Sequence, residues 1–241
     1  DSVLTDTVLT NTAGEMQASD NTEQNFVRLQ DVFITVERKK MHGSLLQGKM
    51  GVSEKIIDKD VLKQRGVNLG DALSDELGIH ASNFGGGASA PVIRGQEGKR
   101  IKILNNGSDV LDMSAMSPDH AVTVDSMLAS QVEVLRGATT LLYSSGNSAG
   151  VINVVGNKIP DKLPNKAIEG ETGVRFNIAD KEKLVTGAFT AKLGNHLVAN
   201  VQALYRDTDD YKTASYTYQG QEHKKLANSF ADSKSGSFGI S

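Results

Sequence analysis

Apolar and polar residues alternate one for one through most of the chain after Ala167. Ile168, Gly170, Thr172, Val174 and Phe176 oppose Glu169, Glu171, Gly173 and Arg175. Val185, Gly187, Phe189, Ala191 and Leu193 then alternate with Thr186, Ala188, Thr190 and Lys192, and Leu197, Ala199, Val201, Ala203 and Tyr205 with Val198, Asn200, Gln202 and Arg206. A period of two belongs to a strand with two chemically different faces. Runs of about ten residues also have the length of a tilted strand crossing a bilayer. The expected connections are a polar turn at Asn177 to Glu182, a tight one at Gly194-Asn195 and a long polar loop from Asp207 to Lys234. Short turns on one side and longer loops on the other are the habit of membrane-spanning barrels. Of the seven Phe and five Tyr, eight follow residue 170 (Phe176, Phe189, Tyr205, Tyr211, Tyr216, Tyr218, Phe230, Phe238), as girdles at the membrane interfaces require. The alternation equally suits a soluble antiparallel sheet with one wet face. Residues 167–241 are thus expected to form antiparallel strands. The chain stops at Ser241 in what reads as the start of a fourth strand; four strands cannot close around a folded domain, so on the barrel reading an incomplete barrel is expected.

Between Gly51 and Asn157 the period changes from place to place. Ile56-Ile57 predicts a short strand and Asp58 to Gln64 a helical turn; Leu69, Ala72, Leu73 and Leu77 recur at helical spacing, with Gly78 as the stop. After the loop Asn83-Phe84-Gly85-Gly86-Gly87-Ala88, Pro91 to Arg94 and Arg100 to Leu104 read as strands, and Asn105-Asn106-Gly107 is a hairpin signal. Val124 to Ala129 suits a helix, and Gln131 to Leu135 and Val151 to Val155 suit strands. Residues 51–157 therefore read as a compact α+β domain.

Residues 1–50 form an arm of another kind. Asp1 to Gln30 is rich in Thr, Asn, Asp and Ser without a period that would bury a face, which predicts disorder. Asp31-Val32-Phe33-Ile34-Thr35-Val36 then gathers β-branched and aromatic residues before Arg38, Lys39 and Lys40. Such a segment is either an edge strand of the following domain or, given its loose flank, a recognition strand unpaired until a partner arrives. Asp6-Thr7-Val8-Leu9-Thr10 is a rival of the same character.

Composition narrows the function classes. With 26 Lys and Arg against 29 Asp and Glu the formal charge is −3, which gives no electrostatic grip on nucleic acid. The absence of Cys excludes disulfides, thiol catalysis and iron–sulfur ligation, so a transition metal would have to use His and carboxylate. No apolar run approaches the roughly 20 residues of a membrane-spanning helix, and the first residues lack a secretory signal pattern. Gly85 to Gly87 do not belong to a GxGxxG or GxxxxGK motif, and Ser144-Ser145 lack the GxSxG elbow that would join them to His120 in a hydrolase. Catalysis is not expected.

The stretch Leu69-Gly70-Asp71-Ala72-Leu73, the run Pro91-Val92-Ile93-Arg94-Gly95, and above all Val132-Glu133-Val134-Leu135-Arg136-Gly137 followed by Leu142-Tyr143-Ser144-Ser145-Gly146 and Gly150-Val151-Ile152-Asn153-Val154 resemble the plug domain of TonB-dependent outer-membrane receptors. The resemblance implies a plug inside a barrel of about 22 strands, an outer-membrane location, and an arm facing the periplasm. It implies that Asp31, Val32, Phe33, Ile34, Thr35 and Val36 are the TonB box, adding as a strand to TonB of the TonB–ExbB–ExbD complex. Arg94 and Arg136 would pair with barrel carboxylates and lock the plug. Gly85 to Gly95 and Ser117-Pro118-Asp119-His120-Ala121 are most similar to the zinc-importing receptors of the ZnuD type, which implies that Asp119 and His120 supply the plug's share of a zinc site. Carboxylate plus imidazole is a zinc-competent pair, though two adjacent residues make at most half a tetrahedral shell. His223 is a possible entry-site ligand. Haem or a siderophore as the imported ligand, and a non-transporting remnant or surface binding protein, are the alternatives.

Overall fold

A computed structural model of the chain describes residues 34–35, 41–46, 49–50, 53–117, 120–122, 124–144, 146–160 and 162–241. The expected disorder of residues 1–30, the rival segment Asp6 to Thr10, and Asp31, Val32, Phe33 and Val36 lie outside these. Strand β1 (Ile34–Thr35) pairs antiparallel with β2 (Lys49–Met50), Ile34 opposite Met50. The described part of the recognition segment is therefore engaged in a short ladder rather than unpaired.

The α+β domain comprises β3 (Glu54–Asp58), α1 (Lys59–Gln64), α2 (Leu69–Leu73), β4 (Ile79–Asn83), β5 (Ser89–Ile93), β6 (Ile101–Asn105), β7 (Ser108–Asp109), β8 (Ala129–Leu135) and β9 (Gly150–Gly156). Its mixed sheet has the order β3-β8-β9-β6-β7, with β6 and β9 parallel, while β4 and β5 form a separate hairpin. The two central strands are buried on both faces, which is why Val132, Val134, Leu135 and Val151, Ile152, Val154, Val155 read as near-continuous apolar runs. Asn106 at φ 50° and Gly107 at φ 76° make the tight β6–β7 turn that the sequence signals. On one face of the sheet Ile57, Leu62, Leu69, Leu73, Ile79, Ile93, Val132, Val134 and Ile152 form the main core; on the other, Leu104, Leu135 and Val151 form a smaller one with Leu45, Leu46 and Tyr143.

Two expectations for this domain are corrected. Helix α2 ends at Leu73, and Leu77 is 89% exposed, because the chain turns through residues 74–78 into the hairpin strand β4. The described residues of 124–129 are not helical: the hydroxyl of fully buried Ser126 donates to the carbonyl of Val67 at 2.6 Å, so the segment is tied to the α1–α2 connection instead of to its own backbone.

Beyond residue 167 the chain forms β10 (Ile168–Phe176), β11 (Lys183–Lys192), β12 (Val198–Thr208), the hairpin β13 (Lys212–Tyr218) and β14 (Gln221–Lys225), and β15 (Ala231–Ile240). Strands β10, β11, β12 and β15 build an open antiparallel sheet in that order. The expected long loop is thus largely a hairpin of its own, and the fourth wall strand begins at Ala231 and runs ten residues. β14 is polar throughout, and in β13 the alternation of Ala214, Tyr216 and Tyr218 with Thr213, Ser215 and Thr217 is short, so the hairpin's period is weak.

The two faces of this sheet invert the soluble arrangement. Along β12, Val198, Asn200, Gln202, Leu204, Arg206 and Thr208 are buried, on the face from which Arg206 reaches Asn68 and Thr208 meets Gly86, while Val201, Ala203 and Tyr205 are exposed. Val174, Phe176, Val185, Phe189, Phe238 and Ile240 share the outward face, Phe176 at 74% exposure. The register sets Phe189 beside Val201 and Val201 beside Phe238, a continuous apolar row. A soluble sheet buries that face; here the polar one is covered and the apolar one is exposed.

Candidate functional site

The interface between the α+β domain, called the plug below, and the sheet β10-β11-β12-β15, called the wall, gathers most of the charged side chains of the polar face. Lys59 and Lys63, one helical turn apart on α1, both pair with Glu171 of β10, Lys63 at 2.6 Å. The period of the α-helix puts i and i+4 on one face, and strand alternation turns Glu171 inward to meet them. Arg175, four residues along the same face, donates to the carbonyl of Lys63 at 2.6 Å, near the C-terminal end of α1 where backbone acceptors are unpaired. These groups line a polar cavity of about 420 Å³ with Asn200 and Gln202.

Farther along, Arg206 of β12 pairs with Glu182 at 2.6 Å, with side chains 6% and 5% exposed, and reaches Asn68 of the plug at 3.3 Å. Asn68 in turn donates to Asp71 (3.1 Å) and to the Gly86 carbonyl (3.2 Å). The three glycines lie directly against the wall: the Gly86 amide donates to Ser229 O at 3.0 Å. A Cβ on Gly86 would stand 2.9 Å from Thr208 Oγ1, and one on Gly87 2.8 Å from Ala231 Cβ. The triple glycine is a close-approach surface, not a phosphate cradle. Outside the strands, the hydrogen bond from Lys181 (3.1 Å) holds the exposed Asp209 carboxyl below its ordinary range.

The residues singled out from sequence are dispersed. Asp119 lies outside the described residues. His120 is exposed, its amide bonded to Ser117 O at 3.2 Å in the turn after Met113–Ala115. No group of three or more His, Cys, Asp or Glu with metal-holding geometry occurs among the described residues. His223 sits in β14 rather than in a loop, stacked on Tyr216 (5.5 Å, 27°) with Tyr218 edge-on at 6.5 Å. Arg94 is exposed at φ 50° in the turn after β5. Arg136 donates to Leu77 O (2.7 Å) and Ser53 O (3.2 Å), both within the plug.

The lysines of α1, Glu171, Arg175, Arg206 and Glu182 escaped the sequence reading. For Glu171, Arg175 and Arg206 the signal is the polar side of the alternating strands, where charge recurs in a row meant to face something other than water.

Residues 47–151 match the family model described as TonB-dependent Receptor Plug Domain. Among solved structures, the chain is similar to the ferric enterobactin receptor PfeA of Pseudomonas aeruginosa (19% identity, 67% of this chain, 25% of that one, TM-score 0.55). It is also similar to the copper transporter OprC (19%, 72% and 26%, 0.57) and to the siderophore receptor PirA of Acinetobacter baumannii (17%, 67% and 25%, 0.51). At these identities the likeness is one of fold, and the chain spans about a quarter of the length of the structures it matches.

Proposed function

We propose that the chain, whose residues 47–151 match the plug-domain model, acts as the gate and first wall strands of an outer-membrane importer whose arm faces the periplasm and engages TonB. The observation that carries this reading is the polarity of the wall. Its polar row packs on the plug and its apolar row faces outward, an arrangement that water penalises and lipid favours. Because the chain has no Cys, single cysteines are unique labels. Nitroxides at Val201 and Phe189 should report lipid and those at neighbouring Gln202 and Ala188 a shielded polar setting; water-exposed labels at the first pair would overturn the membrane reading.

The imported ligand on this reading is a metal ion, zinc first, with Asp119 and His120 as the plug's donors and further ligands supplied by barrel segments beyond those present. Donor chemistry supports it. Replacing both by Ala in the receptor should impair zinc uptake at limiting zinc while leaving assembly unchanged. A second reading, a ferric siderophore, is supported by the Tyr216–His223–Tyr218 cluster, a stacking platform on the β13–β14 hairpin, and by the siderophore receptors among the similar structures. Zinc uptake indifferent to the double variant, with siderophore uptake lost on Tyr216→Ala, would put it first.

TonB is expected to take up Asp31 to Val36 by strand addition, which requires the β1–β2 ladder to open. Proline at Ile34 removes a ladder donor and should abolish binding of the TonB C-terminal domain. Unchanged binding would move the box to Asp6 to Thr10.

A further inference from the structure

Strand alternation turns Gln131, Glu133 and Leu135 of β8, with Val151 and Asn153 of β9, to the sheet face away from the main core. Glu133 is fully buried there. Residues 43–46 run across this face and supply much of what the carboxylate binds. Glu133 Oε2 accepts from the Leu45 amide (2.8 Å) and from Asn153 Nδ2 (2.8 Å). Its Oε1 accepts from the Ser44 hydroxyl, from Gln131 Nε2 (2.9 Å) and, at 3.5 Å, from the Leu46 amide. Asn153 also donates to Gly43 O (2.8 Å), and Tyr143 donates to Leu45 O (3.2 Å). Leu45 and Leu46 close the smaller apolar cluster of Leu104, Leu135 and Val151.

Burial of a carboxylate is tolerated only with a full set of donors. The segment and the carboxylate therefore depend on each other, and the segment lies directly downstream of the recognition strand. We propose that residues 43–46 are a detachable strap seated on Glu133, so that tension on the arm, once the β1–β2 ladder has opened, peels the strap before the sheet beneath it. Peeling strips Glu133 of its Ser44, Leu45 and Leu46 donors and opens the Leu104–Leu135–Val151 cluster. The loss of those contacts converts a pull into loosening of the plug sheet. The source of tension rests on the TonB reading above; the seat itself does not.

Hydrogen exchange on the whole chain without TonB tests the seat. Glu133→Gln keeps the shape but sets an amide N–H₂ against strap donors. Loss of a charged hydrogen-bond acceptor should speed exchange at Leu45 and Leu46 on the order of 10- to 100-fold, with Val132, Val134 and Ile152 unchanged. In single-molecule extension from the N-terminus, the rupture that follows opening of the β1–β2 ladder should come at lower force. Unchanged exchange at Leu45 and Leu46, or an unchanged rupture after the ladder has opened, overturns the proposal. Where E133Q deprotects the whole sheet, Ser44→Ala decides: faster exchange confined to residues 44–46 supports the strap, and no change overturns it. Binding of the TonB C-terminal domain to the arm is measured separately, and its failure would remove the transport reading while the exchange result stands.

Discussion

The Arg206–Glu182 pair offers the sharpest test of how the wall is held to the plug. Both side chains are almost fully buried, and Arg206 spans from the wall carboxylate to Asn68 of the plug. Arg206→Met preserves the stem's packing but strands Glu182 as a buried, uncompensated charge. Breaking one side of such a pair costs about 3–5 kcal/mol, whereas exchanging both partners for apolar residues is often neutral or stabilising. Urea unfolding of the protein in detergent micelles reads this directly. With a denaturant dependence of about 2 kcal/mol per molar, the single variant should lower the midpoint by roughly 1.5–2.5 M. The double variant R206M/E182L should recover most of that loss. A single-variant shift below about 0.5 M, or a double variant worse than either single, would refute the reasoning. A double variant worse than either single would place the pair's worth in further contacts of both side chains, such as that of Arg206 with Asn68.

How far the fold was legible follows from which contacts are local. The wall strands are visible because their period survives in the sequence, and so is the Asn106-Gly107 turn. Periodicity shows that a strand has two faces but not which is buried; that depends on the plug, an object some hundred residues upstream. The β13–β14 hairpin escaped because its strands are solvated on both sides and carry only a weak apolar alternation. Val124 to Ala129 looked helical because single-segment spacing cannot register the bond from Ser126 to Val67. The plug–wall contacts were hardest to see. Lys59 and Lys63 have the spacing of an ordinary wet helix face, and Glu171 lies far from them in sequence. Glu133 and Asn153, each a single polar residue inside an apolar run, were interior positions with a local sign.

Lys59 and Lys63 grip Glu171 at a partly exposed site, so replacing both by Ala should cost only about 0.2–1 kcal/mol per pair, an effect that shrinks in high salt and is checked by unfolding at two ionic strengths. The carboxyl of Asp209 is held low by its hydrogen bond from Lys181, so its contribution is present above the unfolded value of about 3.9 and lost as pH falls through the folded one; Lys181→Ala should return its NMR titration to the ordinary range. The last expectation concerns the triple glycine. A methyl at Gly86 would meet Thr208 Oγ1 at 2.9 Å and Ser229 O at 3.1 Å, and the same residue's amide is bonded to Ser229 O. Neither neighbour is a flexible tip: one is a backbone carbonyl, and the Thr208 hydroxyl is fixed by accepting from the Ala231 amide at 2.8 Å. The plug loop must therefore retreat from the wall, at the 1–3 kcal/mol or so typical of overpacking. Gly146 provides the control, since a Cβ there meets nothing within 4 Å, so Gly146→Ala should stay within about 0.5 kcal/mol of the parent. Proteolysis in the 157–167 connection reads the same retreat independently, and Gly86→Ala should speed cleavage there while Gly146→Ala does not. Equal effects from the two substitutions would mean that close approach to the wall is not what requires glycine at Gly86.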